Sequence, residues 1–225
     1  MKGFEMSNDP KAIAVWDPLV RVFHWTVAIA FFVAYFTEGD PLIVHVWAGY
    51  TIGTLVVLRV IWGFVGPKHA RFSDFVFAPW TVWSYFVSLV TFRAKRYVGH
   101  SPAGGAMVVV LLAGLAATVW AGLETLAAEE NAGPLAELSL VSSASADPAP
   151  ASQFRVASEE SLSGESGERE EGDREGEESA WKEIHEVLAN LMLFLVIAHL
   201  AGVALASVVH RENLPRAMVT GRKRT

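Results

Sequence analysis

Four runs of mostly apolar residues stand out along the 225-residue chain, separated by segments rich in charge, proline or glycine. They cover Leu19–Thr37, Leu42–Val65, Ala106–Leu126 and Ile184–Val209. A helix needs about 20 apolar residues to cross a bilayer, and each run is close to that length or above it. The pattern therefore predicts an all-α membrane protein, a bundle of four transmembrane helices.

The first two connections between these spans differ in character. Glu38–Pro41 is short, which makes the first two spans antiparallel neighbours. The second connection, Gly66–Gly105, has an aromatic and apolar middle, which we interpret as an interfacial amphipathic helix that starts near Pro79. The alternative for Trp80–Phe92 is a fifth, shorter span, which would break the alternation of charge described below.

The third connection, Glu129–Ala180, is rich in alanine, serine and proline and then in glutamate, serine and glycine. Its second part, Ser158–Ser179, cannot bury enough apolar surface to offset the entropy of ordering, so we expect this acidic loop to be disordered. We interpret it as a solvated spacer, and the alternative is recruitment of a basic partner. The predicted segments are an N-terminal segment 1–18, a membrane domain 19–128 that includes the loop 66–105, the acidic loop 129–180, a fourth span 181–209 and a basic tail 210–225.

Composition and charge add three limits. The chain has no cysteine, which excludes disulfides, thiolate zinc sites, iron–sulfur clusters and covalently attached haem. Residues 1–18 lack the pattern of a cleaved signal peptide, so the first apolar run is expected to be a retained span. The formal net charge is −6, yet Lys and Arg concentrate at both termini and in 66–105. This distribution predicts that both termini are cytoplasmic and that the acidic loop lies outside.

Four of the seven histidines lie inside the apolar spans, where an ionisable side chain is costly and usually has a function. His24 and His199 share a depth towards the cytoplasmic side, and we call them the inner pair. His45 and His185, the outer pair, share a depth near the opposite surface. His185 and His199 are separated by roughly 21 Å along a helix and lie within about 40° of the same face. Because two imidazoles from different helices can ligate a b-type haem, the sequence predicts two haem b groups.

Three other residues of the second span are candidate cofactor contacts. Gly49 and Gly53 follow His45 at one-turn steps, where a missing side chain lets a flat macrocycle approach the backbone, although a close helix–helix contact would explain them equally. Arg59 lies on about the same face at the inner depth, where it could pair with a haem propionate or a quinone oxygen, or extend to the headgroups instead. The remaining histidines are expected in loops or at the interface: His69, His100 and His210.

Several stretches resemble the bacterial cytochrome b561 and nickel–iron hydrogenase b-type cytochrome family, and they extend over nearly all of the chain except the acidic loop. They are Val15–Trp25, His45–Tyr50, Arg59–Gly66, Tyr97–Gly105, Ile184–Glu186, Ala198–His199, His210–Leu214 and Gly221–Arg224. The resemblance implies four core helices in the bacterial inner membrane, two b haems on the inner and outer pairs, and electron exchange with membrane quinone. The acidic loop is longer than such proteins usually carry, which leaves the outer partner open.

The leading hypothesis is electron transfer between a quinone pool and a redox partner such as a c-type cytochrome or a hydrogenase, with quinone bound near Arg59. Membrane lipid is an expected partner and nucleic acid is not. An oxidoreductase acting on a small oxidant such as superoxide ranks second, because Lys182 beside His185 is surrounded by glutamates that would repel an anion. A non-redox metal-ion carrier would need carboxylates or thiolates that the spans lack. A structural anchor would leave four histidines at matched depths unexplained.

Deleting Ser158–Ser179 should leave both haems in place, because a solvated spacer makes no contact with the cofactors. Haem content per chain, measured by the pyridine haemochrome method on the purified protein, tests this prediction. A lower haem content than in the intact chain would show that the acidic loop is more than a spacer.

Overall fold

The computed structural model describes residues 12–38, 40–138 and 163–224. The helices are α1 (Pro18–Thr37), α2 (Leu42–Val65), α3 (Phe72–Phe75), α4 (Pro79–Val90), α5 (Pro102–Glu130), α6 (Ser163–Val209) and α7 (Leu214–Thr220). Residues 134–138 are also helical, and Lys68–Ala70 forms a 3₁₀ turn. Strand β1 (Ala12–Ala14) pairs antiparallel with β2 (Arg222–Arg224). Four helices are long and apolar enough to cross a membrane, namely α1, α2, α5 and the Ala180–Val209 part of α6, which confirms the predicted all-α membrane fold.

The ends of the spans follow from local chemistry. The Oδ1 atom of Asp17 accepts hydrogen bonds from the N–H groups of Leu19 and Val20, at 2.7 and 3.1 Å, and so caps the start of α1. Proline occupies the first turn of both α1 and α5, where its fixed φ suits a helix and its missing N–H costs nothing. For this reason α5 begins at Pro102, one turn before the predicted start at Ala106.

The connection between α2 and α5 contains the predicted helix, α4, which begins at Pro79. At 12 residues it is too short to cross a bilayer, so it is not a fifth span. Tyr85 and Leu89 are buried on one face, whereas Trp80 and Trp83 are 76% and 67% exposed on the other. The helix is therefore amphipathic, and its location in the headgroup region stays a prediction.

Part of the acidic segment is helical. Helix α6 begins at Ser163, so Ser163–Ser179 is helical and continuous with the fourth span. A span supplies a formed nucleus, each further residue then needs only the smaller cost of propagation, and glutamate is a favourable helix residue. The remaining part of the acidic loop, residues 139–162, lies outside the described residues, as do residues 1–11 of the predicted N-terminal segment.

The chain forms two compact units, Met1–Leu115 with Met192–Thr225, and Ala116–Leu191. In the first unit, two buried side chains lie two helical turns from the histidines of the inner pair. Phe31 lies seven residues after His24, Met192 lies seven before His199, and they are 7% and 1% exposed. A Cβ atom at Gly114 would collide with Sδ of Met192, so this glycine lets the helices approach closely. The histidine-bearing faces of α1 and α6 are therefore their buried faces.

A terminal cap, made of residues 12–17, 66–101 and 210–224, lies at one end of the first unit. Besides the β1–β2 pairing, the Val15 N–H donates to the Gly221 carbonyl at 2.9 Å, and Nη2 of Arg96 contacts Oε1 of Glu212 at 3.0 Å. Phe75 is fully buried at its centre. Because β1 and β2 pair here, the segments just before the first span and after the fourth span meet at one end of the first unit, as an even number of spans requires.

Phe75→Ala should destabilise the cap by about 3–5 kcal/mol, because it empties a fully enclosed site. Phe92→Ala is the matched control, since Phe92 is 64% exposed and its loss leaves no cavity. Thermal unfolding of both variants in detergent tests this. Equal melting temperatures for the two variants would show that the cap does not contribute to the stability of the fold.

Candidate haem site

The inner pair comes together in the first unit. His24 of α1 and His199 of α6 have ring centroids 6.4 Å apart and ring planes 54° apart. Two imidazoles that share one metal, each with its nitrogen about 2 Å from the metal, place their ring centres roughly 6 Å apart. The separation therefore suits an iron atom between the two rings. Trp25 packs against the His24 ring edge-on, with a centroid distance of 5.1 Å.

The hydrogen bonding of His24 also supports a metal or ligand at the inner pair. Within the described part of the chain, its buried Nδ1 atom has no hydrogen-bond partner. Buried polar atoms are normally satisfied, and an unsatisfied one calls for an explanation such as a metal, a ligand or a water molecule. One turn beyond His199, a Cβ atom at Gly202 would meet nothing within 4 Å, so the backbone beside the pair is open. These residues fit a haem held by the inner pair.

The outer-pair histidines share one local arrangement, each within its own unit. In the first unit, Nδ1 of His45 donates to the Ala34 carbonyl at 3.0 Å. In the second, Nδ1 of His185 donates to the Thr118 carbonyl at 2.9 Å. Because a carbonyl only accepts, Nδ1 carries the proton in both rings and Nε2 carries the lone pair that a metal requires. Metal-binding histidines are usually oriented by such a bond. The pairing of His45 with His185 stays a prediction from their depths.

Glycines leave space near each of the outer-pair histidines. A Cβ atom at Gly122 would lie 2.9 Å from Cε1 of His185, so only glycine leaves room for that ring. Sequence reasoning missed Gly122, although a glycine inside an apolar helix costs about 1 kcal/mol relative to alanine and so signals a packing or functional reason. A Cβ atom at Gly49 would meet nothing within 4 Å, which leaves space beside α2 one turn from His45. Gly53 is half-buried, and its role stays a prediction.

Arg59 lies at the end of α2 that adjoins the terminal cap, and its side chain is buried there rather than extended to the headgroups. It is 2% exposed, and its Cζ atom lies 5.4 and 5.9 Å from the ring centroids of Phe72 and Phe75. A Cβ atom at Gly63, one turn further, would collide with the Phe72 ring, so glycine permits this packing. Across the described residues, Nη1 of Arg59 has no hydrogen-bond partner. Because buried charges are almost always paired, Arg59 fits a contact with an acceptor or an anion.

His100 was expected in a loop, and it is in one, but its ring is enclosed by the cap. The rings of Trp16 and Phe75 both pack against it, each with a centroid distance of 4.6 Å. Burial, reinforced by the nearby charges of Arg59 and Lys223, lowers the pKa of His100 to about 3, so the ring is neutral at physiological pH. The other two predicted loop histidines make cap contacts, His69 with Asp74 at 2.9 Å and His210 with Tyr85 at 3.2 Å.

Comparisons with known proteins point to one family. Residues 15–221 match the prokaryotic cytochrome b561 family. The chain belongs to that family. Two relatives named "Probable Ni/Fe-hydrogenase B-type cytochrome subunit" are each 28% identical to this cytochrome b561-family chain. The one from Rhizobium leguminosarum bv. viciae aligns over 44% of this chain and 52% of its own length, and the one from Azotobacter chroococcum mcd 1 over 45% and 54%. No solved structure matches the chain.

The family sets the coarse function. This cytochrome b561-family chain is a multi-pass membrane protein with a role in b-haem electron transfer. It spans about half the length of the curated relatives that it matches. Partners and substrates are therefore matters for proposal.

His199→Ala should remove the inner haem and leave the outer haem largely occupied, because each haem has its own pair of imidazoles. Pyridine haemochrome quantification per chain, with the reduced spectrum of the remaining haem, measures this. His210→Ala is the control just beyond the end of the same helix and should keep both haems. A His199→Ala protein that loses neither haem would contradict the inner pairing.

Proposed function

We propose that this cytochrome b561-family protein is a di-haem b-type cytochrome that passes electrons between a quinone pool and a redox partner. The observation that carries the proposal is the inner pair, whose ring centroids lie 6.4 Å apart. The orienting hydrogen bonds of His45 and His185 support a second haem at the outer pair. Four imidazoles at two depths serve two haems without any covalent attachment, which suits a chain without cysteine.

The chain's own residues position and insulate the haems, while haem b itself, when bound, supplies reversible one-electron chemistry at iron. The carbonyls of Ala34 and Thr118 fix the tautomer and orientation of the outer-pair rings. Phe31 and Met192, two turns from the inner pair, are buried apolar side chains that help to keep water from the inner pair. Gly49 and Gly53 give a macrocycle access to the backbone of α2.

The two faces of the membrane take different roles in this proposal. The terminal cap is rich in Lys and Arg, which supports a cytoplasmic cap and a bacterial inner-membrane location. Quinone exchanges electrons at the cap end, near Arg59. The outer haem serves a redox protein at the opposite face. The names of the two relatives favour a nickel–iron hydrogenase as that protein, and a c-type cytochrome is the alternative.

Direct reaction with superoxide is a weaker candidate. In the second unit the Nζ atom of Lys182 lies 3.0 Å from Oε1 of Glu129, so the cation nearest in sequence to His185 is already paired. An anionic oxidant would find little attraction there.

A dithionite-reduced minus oxidised spectrum, with haem quantified per chain, tests the proposed cofactors in detergent-purified protein. We expect about two b haems per chain, one for each pair of imidazoles. One haem would mean that one histidine pair is structural, and single His→Ala variants would identify it. Well-folded protein without haem would overturn the proposal. Reduction of the haems by a quinol in liposomes then tests the quinone step. Haems that stay oxidised would show that quinone is not a redox partner of this protein.

A further inference from the structure

Three basic side chains converge inside the terminal cap. Arg59 and His100 both pack against the Phe75 ring, at 5.9 Å from Cζ and 4.6 Å between centroids. Lys223, which is 7% exposed, places Nζ 5.5 Å from the Trp16 ring and 3.5 Å from the Gly99 carbonyl oxygen. Trp16 in turn contacts the His100 ring. We call Arg59, His100 and Lys223 the basic cluster.

The basic cluster has unused hydrogen-bonding capacity. Among the described residues, Nη1 of Arg59 and Nδ1 of His100 are buried without a hydrogen-bond partner. A buried guanidinium without a full set of acceptors is strongly unfavourable. An anionic ligand would supply acceptors for these donors and add negative charge beside Arg59 and Lys223.

Asp17 and Glu212 interact electrostatically with Arg59 and Lys223, while hydrogen bonds and ion pairs join the carboxylates of the cap to other groups. Asp17 accepts from two backbone N–H groups and, at 3.1 Å, from Nε1 of Trp62. Asp74 contacts His69 at 2.9 Å. Glu212 contacts Arg96 at 3.0 Å. Within the described part of the chain, none of these short contacts reaches Nη1 of Arg59 or Nδ1 of His100, so both atoms remain available to an added acceptor.

The depth of Arg59 indicates where that group comes from. The hydrogen bond between Trp62 and Asp17 puts the end of α2 level with the start of α1. At about 1.5 Å per residue, Arg59 lies about 4.5 Å into the span from that level and His24 about 10.5 Å. Arg59 is thus roughly 6 Å closer to the cap than the inner pair. A haem held at His24 would carry its anionic groups, the two propionates, on one edge.

We propose that Arg59 and His100 bind the propionate carboxylates of the inner haem and that Lys223 adds a further positive charge to the same site. The proposal rests on the inner pair holding a haem. A carboxylate suits the site better than a quinone oxygen, because it would add negative charge beside the buried cations as well as accept a hydrogen bond. His100 donates from Nδ1 as a neutral ring. The quinone then binds through other groups at the cap end.

The main test is a redox titration of both haems in the intact protein, with the inner haem assigned by its loss in His199→Ala. A nearby cation stabilises the reduced haem, which carries one more electron. Arg59→Gln should therefore lower the midpoint potential of the inner haem and leave the outer one unchanged, whereas Arg59→Lys should retain most of the wild-type value. Arg71→Gln is the matched control, since Arg71 is an exposed arginine of the same cap and should change neither potential.

A second measurement identifies the anion. Redox difference infrared spectra of protein with ¹³C-labelled haem propionates isolate the propionate carboxylate bands. These bands should shift in Arg59→Gln and in His100→Leu, because both variants remove a donor. If Arg59→Gln does not fold, His100→Leu tests the same contact.

The outcomes separate this inference from the proposed function. Wild-type protein without an inner haem would defeat the proposed function itself. Two haems whose potentials and propionate bands are unchanged in both variants would overturn only the propionate site. A shifted potential with unmoved propionate bands would also overturn it, and would mean that the basic cluster holds another anion.

Discussion

The nitrogen atoms of an imidazole inside a bilayer must find partners within the protein, because no water is present there to supply them. The rest of this structure depends on that constraint. His24 and His199 face each other at a separation that suits a shared metal. His45 and His185 each use a backbone carbonyl to fix Nδ1 as the donor. The helices then pack so that the histidine faces are buried, with Met192 and Phe31 at steps of two turns.

The same constraint applies to Arg59, whose side chain is covered by the terminal cap. A cation in a span must be paired or covered, and here Phe72 and Phe75 cover it from the connection between α2 and α5. A Cβ atom at Gly105 would collide with the Phe75 carbonyl oxygen, so this connection lies directly on the start of α5. The tail then ties the cap to the N-terminal strand. Segments that look like loops in the sequence therefore cover a charged side chain of the second span.

Family membership gives the class of chemistry, and the site gives its local arrangement. The chain is a b-type cytochrome of the prokaryotic cytochrome b561 family, while its span of about half the length of its curated relatives leaves the partner to experiment. The long helix α6 joins the fourth span to the acidic segment.

The sequence by itself determined the spans, the even number of crossings and the four intramembrane histidines, because apolar length and the cost of a polar group in lipid are local properties. It also indicated the amphipathic α4. The expected disorder of the acidic loop stays a prediction, while Ser163–Ser179 forms a helix that is continuous with the fourth span. Only the tertiary structure showed the β1–β2 pairing, the enclosure of His100 and the fit of Gly122 to His185. Each of these depends on contacts between residues far apart in the chain, and no local sequence pattern specifies which distant residue will make the contact.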